Sequence, residues 1–185
     1  MRITAGQHRG RKLQAPDIDG LRPTPSRVRE ALFNILGPIH EKSWLDLFAG
    51  SGIMSLEALS RGAASATAIE QHIKAVRAMQ SLHQTLHMDD DWQIRQGLLP
   101  QALQPLQGQQ FDLVFADPPY NKGIAEQIPG WLDAHAIRCH RLIIEESSAA
   151  KPHWPANWTC TSSRRYGDTC LHFLIPEEHE HGEET

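Results

Sequence analysis

Between residues 43 and 146 the sequence keeps switching between short apolar runs and amphipathic stretches, and this alternation restricts the fold more than any other feature. "SWLDLF" reads as a strand and "SGIMSLEALSRG" as a helix closed by Gly62. A second strand ends at Glu70, and a long helix covers about 71–87. "WQIRQG", "FDLVFAD" and "RLIIEE" give three more strands, with helical stretches near 99–104 and 123–135 between them. Repeated β-α-β with apolar strands dictates a parallel sheet with helices on both faces. The last segment, "WTCTSSRRYGDTCLHFLI", reads as two strands joined around Tyr166-Gly167-Asp168, an antiparallel hairpin that makes the sheet mixed. A length of 185 residues supports one well-buried core.

Ahead of this pattern, "RPTPSRVREALFNILGPI" carries Val28, Ala31, Leu32, Ile35 and Leu36 on one helical stripe. Thr24 is the expected N-cap, Pro25 the first helical residue, and Gly37-Pro38 the stop. Arg27 and Arg29 fall off the stripe and are expected to face solvent.

The net charge of −4 hides an asymmetry. Residues 1–29 hold seven Lys/Arg (Arg2, Arg9, Arg11, Lys12, Arg22, Arg27, Arg29) against Asp17 and Asp19, whereas the tail "EEHEHGEE" is acidic. A basic arm on an acidic body suggests one face made for a polyanion, and a pI near 6.2 argues against indiscriminate nucleic-acid binding. The chain divides into a basic extension (1–22), a main domain (23–176) and an acidic tail (177–185) whose composition predicts disorder. No apolar run reaches the roughly 20 residues of a membrane span, and the polar N-terminus lacks a signal-peptide core. Three cysteines without a CxxC make a disulfide framework a poor reading, so a reducing cytoplasm is expected.

"LDLFAGSG" puts Asp46 within the first strand and Gly50 and Gly52 in the turn that opens a helix. Such a turn brings backbone close to a ligand and offers free N–H groups. A dinucleotide fingerprint needs a third glycine at position 55, where this chain has Ser. Glu70 ends the second strand, beside the glycine turn at the sheet's C-terminal edge, where it can accept both hydroxyls of a ribose. A nucleoside cofactor is the reading that joins these residues.

"FDLVFADPPYN" then places Asp117 at the end of the fourth strand, next to the first, at the switch point of a doubly wound sheet. Pro118-Pro119 stiffens the loop and leaves the Pro118 carbonyl free as an acceptor. A rigid carboxylate and carbonyl side by side suit the two hydrogens of a planar NH₂ group. Tyr120 supplies a face for a base, worth roughly 1–3 kcal/mol. Gripping an exocyclic amine in this way draws its nitrogen toward tetrahedral geometry and favours attack on an electrophilic methyl, mostly through positioning and electrostatics.

"DLFAGSG" followed by "DPPY" resembles an S-adenosylmethionine-dependent amino-methyltransferase. "MRITAGQHRGRKL", "LRPTPSRVREALFNIL", "DLFAGSG" with "LEALSRGA", "DPPY" and "YGDT", in this order over about residues 1–175, resemble the RsmD family. The resemblance implies methylation of the N2 amine of guanine 966 in 16S rRNA of the small ribosomal subunit, with S-adenosylmethionine as cofactor. It also implies a Rossmann-like class I methyltransferase fold: α/β, a seven-stranded mixed sheet with the C-terminal hairpin, and a short N-terminal β-rich extension. Residue by residue, Asp46, Gly50 and Gly52 match the cofactor loop and Glu70 the ribose acid. Asp117, Pro118, Pro119 and Tyr120 match the catalytic motif, while Thr24 and Arg27 border the methionine end of the cofactor. Many relatives read the adenine amine with Asp or Asn after the third strand. This chain has Gln96, Gly97 and Leu98 there, so Gln96 or a backbone group must serve and Leu98 is counted with the cofactor site.

Arg2, Arg9, Arg11 and Lys12 are expected to dock RNA phosphates, with Arg164, Arg165 and Tyr166 as a second contact; for the latter a plain hairpin turn is an equal reading. His83 and His87, four apart on a helix, read as a surface pair rather than a metal site, and methyl transfer needs no metal. His179 and His181 fall in the tail. Trp92, Trp131, Trp154 and Trp158 read as packing. A DNA adenine-N6 methyltransferase is the nearest rival, although the chain has no room for a target-recognition domain. A non-catalytic RNA-binding assembly factor and an NAD-binding module follow. A monomer is expected.

Overall fold

The computed structural model describes residues 1–13, 24–87 and 91–177. Seven strands form one sheet: β1 (Ser43–Leu47), β2 (Ser65–Glu70), β3 (Trp92–Gln96), β4 (Gln110–Ala116), β5 (Arg138–Ser147), β6 (Trp158–Tyr166) and β7 (Thr169–Pro176). Their order is β3-β2-β1-β4-β5-β7-β6. The first five are parallel, and β7 runs antiparallel between β5 and β6. The order reverses between β1 and β4, so a crevice opens where Leu47 and Ala116 end their strands in register.

Alternation along each strand sends side chains to two cores. On one face Trp44, Ala66, Ala68, Phe115 and Ile143 meet α1 (Ser26–Leu36), α2 (Ile53–Ser60) and α3 (Ile73–Leu86). On the other, Leu45, Ile69, Val114 and Ile144 meet the 3-10 turn Gln101–Leu106 and α4 (Ile128–Ala134). Phe33 of α1, Trp44 and Phe115 stack in a row, with centroids 5.5 and 6.0 Å apart. The same period of two places Asp46, Glu70, Asp117 and Glu145 at the C-terminal edge, in line with the first face.

Residues 1–13 form a small hairpin with an isolated antiparallel bridge, Arg2 to Lys12. It lies against the end of α2, where Gln7 N donates to the Ser60 carbonyl at 2.7 Å and Ser60 Oγ to the Ala5 carbonyl at 2.6 Å. Only glycine fits at Gly6, because a Cβ there would overlap the Ser60 carbonyl. Arg22, residues 14–21 and the tail from 178 onward, with His179 and His181, lie outside the described residues.

Two expectations at α1 need correction. Thr24 does not cap the helix, because the boundary falls one residue later: Pro25 is the N-cap rather than the first helical residue, and its carbonyl accepts the first helical hydrogen bonds, from the Val28 and Arg29 amides. The Thr24 hydroxyl instead donates to the Glu145 carboxylate at 3.3 Å, a contact with β5 rather than with the free N–H groups of the helix start. Arg29 does not face solvent either; it is 2 % exposed. Its guanidinium donates to the Thr24 and Arg2 carbonyls, both at 2.7 Å, and lies 3.8 Å from Glu57. Glu57, fully buried on α2, also accepts from the Thr4 and Ala5 amides, the Thr4 hydroxyl and Arg61. A position beside the apolar stripe is buried here because the hairpin covers it and brings partners for the charge.

His83 packs on the Trp92 ring, with centroids 6.3 Å apart, while His87 is exposed. Trp92 and Trp158 are buried, and Trp131 and Trp154 half-buried, as packing residues. Among the described residues no His/Cys/Asp/Glu group has metal-binding geometry, and no helix is long and apolar enough to cross a membrane.

Candidate active site

A cleft of about 660 Å³ lies over the C-terminal ends of β1, β2 and β4, within the usual range for small-molecule sites. Its near wall is the turn after β1. Phe48 there has φ +62°, costly for a bulky residue and typical of a constrained site. Its ring rests against Trp131, centroids 6.4 Å apart. The Gly50 amide faces the second strand and donates to Glu70 Oε2 at 2.7 Å. Gly52 lies beneath the turn, outside the lining: a Cβ there would come within 2.7 Å of Met79 and Trp92. Its role is close packing that lets the turn sit low.

Asp46 is fully buried under this turn and accepts from the Ser55 amide (3.1 Å) and hydroxyl (2.6 Å). Ser55 is the third residue of α2, so Asp46 caps that helix from the neighbouring strand. Burial pushes the Asp46 carboxyl up to about 7, against the pull of the two Ser55 bonds. Glu70 uses its other oxygen to accept the His72 amide at 2.8 Å at the start of α3. Its carboxylate thus joins two turns while lining the cleft.

Leu98 is 62 % exposed and lines the cleft beside Gly97, Gln71 and His72. Gln96 is exposed at the end of β3 and is not among the lining residues. Thr24 and Pro25 line the opposite side, but Arg27 does not; with Val28 and Leu32 turned to the core, the helical period leaves residue 27 in solvent.

The far wall is Asp117-Pro118-Pro119-Tyr120. Among the described residues no donor hydrogen-bonds the Asp117 carboxylate or the Pro118 carbonyl. Burial, and then the nearby carboxylates of Glu145, Asp46 and Glu146, hold Asp117 well above the usual range. A cation in the cleft would relieve that repulsion and keep the acid ionised. The loop is braced from β5 by two residues the sequence reading passed over. Glu145 accepts the Tyr120 hydroxyl at 2.6 Å, and Glu146 accepts the Asn121 amide at 3.1 Å. The available signal was the doublet of acids closing the apolar run "RLIIEE".

Residues 1–175 match the family model described as "Conserved hypothetical protein 95". The chain is 40% identical over 172 residues to ribosomal RNA small subunit methyltransferase D of Haemophilus influenzae, covering 90% of this chain and 89% of that protein. The Escherichia coli K12 protein of the same name is 41% identical over 168 residues, 86% of this chain and 81% of its own. The chain belongs to this methyltransferase family. Among solved structures, Escherichia coli yhhF aligns with a TM-score of 0.82 at 35% identity, covering 97% of this chain and 99% of that one. An RNA methyltransferase of Salinibacter ruber, solved with S-adenosyl-L-homocysteine, shares the fold alone (TM-score 0.65, 17% identity, 86% and 97% coverage).

Glycine turn, strand-ending acid and DPPY loop face one another across one cleft. The donor set fits a nucleoside with a cationic end. Glu70 lies by the backbone amides of the turn, Leu98 gives an apolar wall, and carboxylates gather near Asp117. On the outside, Arg2, Arg9, Arg11 and Lys12 are exposed on the N-terminal hairpin. Arg164 and Arg165 are exposed at the end of β6, whereas Tyr166 packs against the core; the turn they flank brings Asp168 and Thr169 to the cleft.

Proposed function

We propose that this protein methylates the exocyclic N2 amine of one guanine in 16S rRNA of the small ribosomal subunit, position 966 by family resemblance, using S-adenosylmethionine. The observation that carries the reading is the pair of acceptors without hydrogen-bond donors among the described residues, Asp117 carboxylate and Pro118 carbonyl, held on a proline-stiffened loop opposite the glycine turn. S-adenosylmethionine supplies a methyl group already activated on a sulfonium. This chain's part is to hold the amine: Asp117 and Pro118 take its two hydrogens, and Tyr120 offers the base a face. Glu70 and the Gly50 turn hold the ribose side, Thr24 lies toward the far end, and the acids around Asp117 favour a positive charge. Arg2, Arg9, Arg11 and Lys12 bind phosphate without reading sequence, with Arg164 and Arg165 as a second contact. The names of the two relatives support the ribosomal substrate. The protein acts as a cytoplasmic monomer in this reading.

The test is transfer of labelled methyl to unmodified small subunits, naked rRNA and duplex DNA in parallel, followed by nucleoside analysis. N2-methylguanosine at a single site in rRNA is the expected product. Label in N6-methyladenine of DNA would contradict the reading, as would no transfer to any of the three.

A further inference from the structure

Tyr120 carries the face on which a base would rest, yet among the described residues no aromatic ring packs against it. What fixes it is its hydroxyl, which donates to Glu145 Oε1 at 2.6 Å and lies 3.1 Å from Thr169 Oγ1. Glu145 is 2 % exposed, and its second oxygen accepts the Thr24 hydroxyl at 3.3 Å. Thr24 lines both the active-site cleft and a second cleft, bordered by Arg2, Arg9 and Lys12, beneath the N-terminal hairpin. Its carbonyl is held by Arg29, which also holds the carbonyl of Arg2.

We propose that Glu145 is a positioning residue for the target base: its carboxylate fixes the Tyr120 ring and ties it to Thr24, where the active-site cleft meets the cleft under the basic hairpin. The inference rests on the methyltransferase reading given above. Neighbouring acids divide the work. Glu146 already holds the loop through the Asn121 amide, so Glu145 is not needed to hold the backbone and acts on the side chain. A ring held at its tip loses little freedom when a base stacks on it. A buried carboxylate is a costly way to hold a ring unless the fixed orientation is used. The two oxygens of Glu145 accept from Tyr120 and from Thr24, both of which line the cleft.

The experiment compares Glu145→Leu, Tyr120→Phe, their double variant and Glu145→Gln on unmodified small subunits. Each single loss of the bond should lower kcat roughly 10-fold, with the affinity for S-adenosylmethionine changed by no more than about 3-fold. The double variant should be no worse than the poorer single one. Glu145→Gln should recover most of kcat, since its oxygen still accepts from Tyr120 and its amide can donate to Thr24. Losses that multiply in the double variant, or a glutamine variant as poor as the leucine one, would overturn the proposal. A second readout needs no activity. The chain has two tyrosines, so in a Tyr166→Phe background phenolate absorbance reports Tyr120 alone. With Glu145 present the phenol should resist ionisation beyond pH of about 10, and Glu145→Gln should bring its titration down. An ordinary titration with Glu145 intact would overturn the anchoring. Should the parent protein transfer no methyl while the phenol behaves as expected, the function falls and the Glu145 clamp stands.

Discussion

Ser55 donates twice to a single oxygen of Asp46, from its amide at 3.1 Å and its hydroxyl at 2.6 Å. The residue that spoils a dinucleotide fingerprint at position 55 therefore has its own task, satisfying a fully buried acid of the neighbouring strand. Even so, burial outweighs those bonds and lifts the Asp46 carboxyl to about 7. An acid whose folded pKa lies above its unfolded value, near 4, keeps protons in the native state that the unfolded chain has already released. Its contribution to stability falls as pH rises from about 4 to about 7 and stays unfavourable above. Asp46→Asn, which cannot ionise and still accepts from Ser55, should be more stable than the parent at pH 8, by at most about 4 kcal/mol. The gap should close toward pH 4.5. Chemical denaturation at the two pH values measures it, and an equal gap at both would contradict a buried acid.

Glu70 accepts the Gly50 amide at 2.7 Å and the His72 amide at 2.8 Å while lining the cleft. Glu70→Ala is expected to weaken S-adenosylmethionine binding by about 10- to 100-fold, the usual worth of hydrogen bonds to a charged group. Calorimetric titration checks this. Unchanged affinity would remove Glu70 from the ribose site.

Asp117 has no such structural partner among the described residues. Asp117→Ala should lower kcat by roughly 100-fold or more while cofactor affinity stays near the parent's. Methyl-transfer kinetics with cofactor titration in parallel separates the two. Full activity in this variant would sink the amine-gripping mechanism.

Arg29 and Glu57 are both buried, so Arg29→Ala leaves an acid short of one partner and two carbonyls without donors. A loss of about 3–5 kcal/mol of stability is expected, with faster tryptic cleavage at Arg9, Arg11 and Lys12 as the hairpin loosens. Thermal melts and a proteolysis time course test both parts. Arg27→Ala, exposed on the solvent side of α1, should change neither by more than about 0.5 kcal/mol.

Replacing Arg9, Arg11 and Lys12 with Gln should raise KM for the RNA substrate with little change in kcat. The slope of log affinity against log salt should shrink by about 0.7–0.9 for each phosphate that is no longer neutralised. Binding measured across a salt series decides this, and an unchanged slope would place the docking surface elsewhere.

Much of the architecture could be read from periodicity, because alternating strands and helices leave few ways to bury their apolar faces. The glycine turn, Glu70 and DPPY could also be read, since each is a short local signal at a strand end. Arg29 could not. Its burial depends on Glu57 and on a hairpin more than fifteen residues earlier, and one-dimensional patterning ranks an arginine beside a stripe as exposed. Thr24 misled for a similar reason, as its acceptor, Glu145, is 121 positions away. Yet a trace of the site was present. "WLDL", "TAIE", "VFAD" and "IIEE" each carry an acid at or one residue before the end of an apolar run, in step with the same face. Four neighbouring strands carrying acids there collect negative charge at one edge, which a ligand of opposite sign would offset.

The hairpin over α2 is keyed into the enzyme rather than appended to it. Gly6 lets it lie flush on Ser60, and Glu57 gathers its amides from inside the core. Anyone transplanting this basic arm to another methyl-transferring scaffold would have to move part of α2 and Arg29 with it. The arm and the body therefore stand as one folded piece, and the hairpin's backbone cannot be re-routed without disturbing α2.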